Sequence, residues 1–498
     1  MENMKESKWG MSIAYGYILL PFILFVMGWF RIYLAIPILI LLGICFFKLC
    51  KESASLWLPE WNRDNIIKIL CICVLVFLWV YMSGIGKYVF QNGDHTARNA
   101  IFEILVDYDW PVKNFELTGD NIGSNATSLI YYIGFWLPAA VVGKYFGIEA
   151  GYGFQVIWAF LGILLFYYFI CCRLKKLYVW PLLIVIFFSG LDVVGQYLIG
   201  TNIWTMENGM HLEWWASSYQ YSSMTTQLFW VFNQAIPAWV CTMMAFIQRN
   251  NRSLVFILAC CMLQGTFPFI GLGLLVLFWL FSRRYEMGKG IKGKEKRVIH
   301  IQMWIKDTFS MQNVVGGGIV GICSFLYLKG NVSGQIIMQE METAPNLENN
   351  LLKYSIFIIL EVIVFFAAIY RYKKNDKLYY IILICLCVIP PIKVGTSVDF
   401  CMRTSIPALV ILMVYVIETI EEAKKKKDKV VMVALTILLA IGSVTPVHEF
   451  ARTIESTIHS LDNGENPSDV SSDYIEILNA GNFSGVIDHS WFYKYVIK

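Results

Sequence analysis

The 498 residues are 57% hydrophobic and only 15% charged, and their mean hydropathy is +0.57. Soluble domains carry about 25% charged residues, so this composition excludes an ordinary water-soluble globule; with apolar runs of roughly 20 residues recurring along the chain, it prescribes a polytopic all-α membrane protein. The net charge is +4, and the basic residues gather at the ends of apolar runs, where topology needs them, which argues against a nucleic-acid partner.

Residues 11–30 and 32–49 read as two spans joined by a tight turn at Arg31, with no cleavable signal before them. Lys48, Lys51, Arg63 and Lys68 put the loop 50–64 inside by the positive-inside rule, so span 65–85 runs outward. The chain then surfaces as Asn92-Gly93-Asp94-His95-Thr96-Ala97-Arg98-Asn99-Ala100. Gly93 makes the turn, Asp94 suits a helix N-cap, and His95 to Val106 reads as a short helix. His95, Arg98, Asn99 and Phe102 share one face; Ala97, Ile101, Ile104 and Leu105 form an apolar stripe. A second acidic knot, Asp107-Tyr108-Asp109-Trp110-Pro111, follows; its Asp-x-Asp pair is a weak metal signal that leaves a divalent cation open as a cofactor.

Segment 128–147 is expected in the outer interface, because a crossing would carry Arg173 to Lys176 outside. Spans follow at about 150–172 and 177–198, the second ending soon after Ser189-Gly190-Leu191-Asp192. Loop 199–225 lies outside; its Trp214, Trp215, Tyr219 and Tyr221 suit an interfacial belt or a sugar or lipid groove. Residues 227–248 return to a basic turn, 253–281 read as two short helices broken at Gln264 to Pro268, and 283–306 as a basic cytoplasmic loop. Further spans near 313–329, 352–370, 378–396, 404–420 and 429–446 bring the total to about thirteen. The division is thus N-terminal spans 1–85, an outer loop 86–149, a transmembrane core 150–446 and a short outer tail 447–498. No internal repeat is visible, which disfavours an inverted-repeat transporter.

Most of the 13 cysteines sit in apolar runs and no CxxC pair stands in a loop, so neither a disulfide framework nor a cysteine metal centre is indicated. The unusual polar residues concentrate on the outer side: Asp94, His95, Arg98, Asn99, Asp192, His211, Asn233, Gln234, Lys393, Asp399 and Arg403. Ionisable groups near membrane depth are costly and mark function by default. Each also has a plainer reading. Asp94 can serve only as a cap with an i,i+4 contact to Arg98, Asp399 and Arg403 only as a salt bridge opening a helix, and Asn233-Gln234 only as partners for a kink at Pro237. In the functional reading, Arg403 is a fork that grips a phosphate, and Pro390-Pro391 before Lys393 opens room for a ligand.

The motifs Gly93-Asp94-His95 with Arg98-Asn99-Ala-Ile-Phe and Trp110-Pro111-Val, and Leu129-Ile-Tyr-Tyr-Ile-Gly-Phe with Leu137-Pro138-Ala, resemble the GT-C superfamily of membrane glycosyltransferases, in an uncharacterised bacterial cell-envelope branch. Ser189-Gly-Leu-Asp192, Asn233-Gln-Ala-Ile-Pro237 and Asp399-Phe-Cys-Met-Arg403 carry the same resemblance, which spans most of residues 60–415. It implies a bacterial cytoplasmic-membrane enzyme that takes a sugar from a polyprenyl-phosphate donor on the outer side and passes it to an envelope glycan or lipid. By position Asp94 resembles the aspartate that deprotonates the acceptor. Many relatives show two adjacent acidic residues there, whereas His95 follows Asp94 here, which puts metal use in doubt.

The chemistry stands without the family. Inverting transfer needs one carboxylate to accept the proton of the incoming hydroxyl. A lipid phosphate leaves without a second protein acid, unlike the two-carboxylate arrangement of glycoside hydrolysis. Positive charge is needed where negative charge grows, from Arg403, Lys393, Arg98 or His211. Two other readings stay open: a transporter or flippase of envelope glycolipids, and a ligase or polymerase working on undecaprenyl-linked sugar.

Overall fold

The computed structural model describes residues 6–113, 127–201, 211–283, 293–331, 351–394, 398–468, 483–487 and 490–498. Helices dominate; α1 (Trp9–Trp29) and α2 (Ile32–Glu52) are antiparallel about the turn at Phe30-Arg31, and α3 (Arg63–Met82) follows, its first turn capped by the Asn62 side chain. α2 and α3 bury only thin stripes, Ala35, Leu42, Cys45 and Leu49 on one and Ile72, Val76, Trp79 and Val80 on the other. Their remaining faces expose large apolar side chains, as a lipid-facing helix must.

α4 (Asp94–Asp107) lies beyond the end of α3, and α5 (Leu137–Phe146) packs between α4 and the long α6 (Ile148–Leu174). Ten residues rise about 15 Å, too little to cross a bilayer. α7 (Trp180–Phe187) and α8 (Asp192–Leu198) are two halves of one apolar run, interrupted at Phe188 to Leu191. α9 (Met224–Ile247) is buried almost throughout. α10 (Leu254–Met262) and α11 (Thr266–Ser282) are separated at Leu263 to Gly265, close to the break anticipated from Gln264 to Pro268. α12 (Gly293–Thr308) bends by 40° into α13 (Gln312–Leu328). α14 (Leu351–Lys373), α15 (Lys377–Val388), the short α16 (Asp399–Thr404), α17 (Ile406–Lys426), α18 (Lys429–Gly442), α19 (Val444–Asp462) and α20 (Trp491–Tyr495) complete the order. α9 and α17 pack on each other at the centre, with α1, α6, α10, α11 and α14 around them.

Among the described residues eight helices are long and apolar enough to cross a membrane, or nine if the bent α12–α13 pair counts as one. The shortfall from thirteen has local causes. α15 has only 12 residues, and α17 has 21 but carries Glu418, Glu421, Glu422 and three lysines in its second half. Three other expectations change. The second half of the expected basic loop 283–306 is helical, with Val298, Ile301 and Ile305 recurring at helical spacing along α12; residues 284–292 lie outside the described ones. The tail begins as α19, which packs against α3, α7, α8 and α9. Trp215, Tyr219 and Tyr221 are buried inside the protein, not arrayed in an interfacial belt, and only Trp214 is exposed.

The final residues return to the α1–α2 turn. Strand Ser484–Val486 pairs antiparallel with Thr127–Leu129, Ile497 bridges to Phe30, and the Arg31 guanidinium donates to the carbonyls of Lys494 and Ile497 at 2.7 and 2.9 Å. Trp29 at the end of α1 packs on Trp110, Gly86 just past α3 abuts Val156 and Gly151 abuts Phe102 near the start of α6, and Arg403 just before α17 bonds Tyr132, so these ends lie together at one end of the bundle. At the opposite end Glu418 pairs with Arg173 (2.7 Å) and Lys373 (2.5 Å), and Asp428 with Arg371 (2.8 Å). The lysines 424–427 stand there too.

Candidate active site

The Asn92 side chain builds the turn that starts α4. Its Oδ1 accepts from the Asp94 N–H at 3.1 Å and its amide donates to the Phe229 carbonyl at 2.9 Å, tying the turn to α9. Asp94 stands in the first helical turn, one residue past the cap at Gly93 and not at the cap itself, where the helix dipole favours a carboxylate. Arg98, one turn on, donates to Asp94 Oδ2 at 2.9 Å. The Asp94 side chain keeps 44% of its surface accessible while Arg98 keeps 10%. Burial would raise the Asp94 carboxyl, but Arg98 and then Arg403 more than offset it and hold it below the ordinary value.

Arg403 arrives from the far side of the sequence on α16. It donates to the Tyr132 hydroxyl at 3.0 Å and pairs with Asp399 at 3.0 Å. Tyr132 in turn bonds the Tyr131 hydroxyl, and the Tyr131 ring lies against Phe483 of the returning tail, centroids 4.9 Å apart. The strap bearing the two tyrosines is fixed by backbone bonds from Leu129 to Val112 and from Ile130 to Phe483 and by the Tyr327 hydroxyl on the Leu129 carbonyl. Asp94 and Arg403 lie within each other's field, and Arg403 and Arg98 both act on Tyr131. Arg98 Nη1 and Arg403 Nε are buried without a hydrogen-bond partner. The outcome is an accessible carboxylate flanked by two guanidiniums with unused donors and by two phenols.

The other expected residues fall elsewhere. His95 shares α4 but turns inward: Nε2 donates to the Phe229 carbonyl at 3.0 Å, and Nδ1 takes the Gln91 amide at 3.2 Å. Burial and the Arg98 charge push its pKa down to about 3, so it is a neutral, buried histidine whose two ring nitrogens are both engaged within the protein. Asn99 is likewise satisfied by Gln91, at 2.7 Å. Asn233 and Gln234 are buried in α9 with their side-chain oxygens unpartnered; the helix breaks at Val231, not at Pro237 as anticipated. Lys393 caps the Ser218 carbonyl and lies 4.5 Å over the Tyr219 ring. His211 Nδ1 sits 3.1 Å from Glu449, which also accepts from Trp230 at 2.9 Å and pairs with Arg452. Asp192 accepts from Ser189 (2.9 Å) and Thr445 (3.0 Å). Thus Asp94, Arg98, Asp399 and Arg403 come together, while Asp192 and His211 occupy separate buried networks and Lys393 a half-buried site on Ser218 and Tyr219.

Sequence reasoning passed over Tyr131 and Tyr132 as binding groups, Glu361, and the Glu449–Arg452 pair. The signal for Glu361 was present: it is a lone carboxylate within an apolar run. Glu449 and Arg452, at i,i+3 spacing, were hidden in what read as a polar tail.

The Asp107-x-Asp109 pair does not fit a divalent cation. Lys144 donates to the Val106 and Tyr108 carbonyls at 3.1 and 2.5 Å, and its ammonium faces both carboxylates. Among the described residues no three His, Cys, Asp or Glu side chains are arranged to hold a metal ion. Compared with known proteins, the chain matches no family model, no curated protein and no solved structure.

Proposed function

We propose that this chain is a membrane glycosyltransferase that moves a sugar from a polyprenyl-phosphate donor to an envelope glycan or lipid acceptor. Asp94 is the general base and Arg403 the group that grips the phosphate. The observation that carries this reading is the meeting of Asp94 with Arg98 and Arg403 at the end of the bundle remote from its lysine-rich end. By the positive-inside rule that end is the extracytoplasmic one.

The chemistry follows from the charges. An acceptor hydroxyl approaches the accessible side of the Asp94 carboxylate. Arg98 keeps that carboxylate ionised, and it takes the proton as the hydroxyl oxygen bonds the anomeric carbon. The bond to the phosphate oxygen breaks, and the charge released there is met by the guanidiniums of Arg403 and Arg98. The polyprenyl chain runs along the apolar helix faces.

The test is kinetic. Asp94→Asn is expected to lower kcat by about 10²–10⁴ with the donor KM kept, the range of general-base catalysis. Arg403→Lys, which keeps the charge and loses the fork, raises the donor KM instead. Full transfer activity in Asp94→Asn contradicts the reading. A transporter is the second reading, because the α7–α8 run is interrupted within the bundle beside buried carboxylates; sugar transfer by purified protein in detergent, where no gradient exists, separates the two.

A further inference from the structure

The interruption between α7 and α8 is built around acidic groups with no basic partner. Asp192 opens α8, and Glu361 projects from the middle of α14, where a π-turn at Ile359–Ile363 offsets the helix. Glu213 stands nearby on the turn Leu212–Ala216. Among the described residues none of the three forms a salt bridge. Glu213 is fully occupied by neutral donors, the Ser223 N–H at 2.8 Å and the Gln220 amide at 2.9 Å. Burial, then the charge of Asp192, pushes it up to about 8.

Glu361 differs. It is 3% exposed, neither carboxyl oxygen has a donor at full hydrogen-bond geometry, and its polar neighbours are the Asp192 carboxyl and the Trp215 indole. It borders an enclosed cavity of about 10 Å³ that is also lined by Ser189, Gly190, Tyr221, Ser222 and Gln227, room for one water-sized occupant. The backbone is shaped to admit the carboxyl: a Cβ on Gly190 would lie 1.6 Å from Glu361 Oε2. The same unwound stretch turns the Ser189 and Gly190 carbonyls to one side, 2.6 and 3.0 Å from where a Gly442 Cβ would stand.

A buried carboxyl pair that keeps a negative charge in this setting is costly unless a positive charge joins it. We propose that the gap between α7 and α8 is a binding site for one monovalent cation, Na⁺, held by the carboxyls of Glu361 and Asp192 and the Ser189 hydroxyl. Half-helix ends with unwound backbone are a general way to present oxygens to a small cation at membrane depth. The Asp192 and Glu361 carboxyls hydrogen-bond to each other, so the pair holds one proton and carries one negative charge, which a single monovalent cation neutralises; the one-sphere cavity excludes a hydrated divalent ion, which demands more oxygens. The site is separate from Asp94 and Arg403, and either reading can fail without the other.

The experiment is thermal unfolding of the detergent-solubilised full chain in NaCl, KCl and choline chloride at constant ionic strength, paired with ²²Na⁺ binding. NaCl is expected to raise Tm above KCl and choline chloride, saturably, with ²²Na⁺ displaced by unlabelled Na⁺ and not by K⁺. Glu361→Gln abolishes both effects. If that variant fails to insert, Thr445→Val, which removes one donor to Asp192, raises the Na⁺ concentration at half-saturation. Equal Tm in all three salts with no ²²Na⁺ bound overturns the proposal, as does a response to pH alone, which would mean a shared proton.

Discussion

Neighbouring residues on α4 carry opposite fates. Asp94 keeps an open side and two cationic neighbours, whereas His95 is consumed by Phe229 and Gln91. Helical spacing put His95, Arg98 and Asn99 on one face, and that holds; what spacing cannot tell is that α9 covers this face, so a row legible as polar became a row of internal hydrogen bonds. The His95 ring supplies a pH prediction. Its folded pKa, about 3, lies below the ordinary 6.5, so the unfolded chain binds the extra proton between these values. Stability is fully present above pH 6.5 and is lost as pH falls toward 3. His95→Gln should flatten that acid limb in Tm measured against pH; an unchanged limb would place the titration elsewhere. Glu213 has the opposite sign. Its folded pKa of about 8 exceeds the ordinary 4.5, so its contribution is fully present below 4.5 and lost as pH rises through 8. Glu213→Gln should raise Tm at pH 9 relative to the parent and leave it little changed at pH 4.

At the scale of elements, short pieces place the candidate site. Arg403 rides on α16, six residues long, whose position is set by contact with α11: a Cβ on Gly271 would meet the Thr404 carbonyl at 1.9 Å. Gly271→Ala must therefore push α16 away, costing about 1–3 kcal/mol of stability as overpacking does. It should also raise the donor KM while leaving Asp94 and Arg98 paired. A Gly271→Ala protein with parental Tm and donor KM would show that α16 is not clamped there. Elements of this kind explain what the sequence could and could not convey. Long uniform runs such as Trp9–Trp29 announce themselves, and so do breaks at Gly-Thr-Phe-Pro. The helix through Val298 and Ile305 shows its spacing locally but lies within a basic stretch that reads as a loop, whereas the seating of Phe483 on Tyr131 depends on a partner hundreds of residues away, of which local pattern holds no trace.

For the whole molecule, composition alone specified a helical membrane protein; among the described residues eight helices, or nine with the bent pair, are long and apolar enough to cross, and the other apolar runs form shorter or more charged helices. The division of charge between the two ends is the better guide to orientation. In the proposed orientation, which puts Arg173, Lys373 and the lysines 424–427 inside, α4 stands outside. A cysteine placed at Thr96 should then react with an impermeant maleimide added to whole cells, and one at Lys427 only after the membrane is opened; the reverse pattern would put Asp94 on the cytoplasmic side and remove the donor geometry argued for it.

The most direct measurement is a structure of the detergent-solubilised protein with a polyprenyl monophosphate bound. The account predicts phosphate density between Arg403 and Arg98, with the Asp94 carboxylate facing the oxygen that would carry the sugar. Phosphate bound at the lysine-rich end, or at Lys393 with Arg403 still committed to Tyr132 and Asp399, would contradict it.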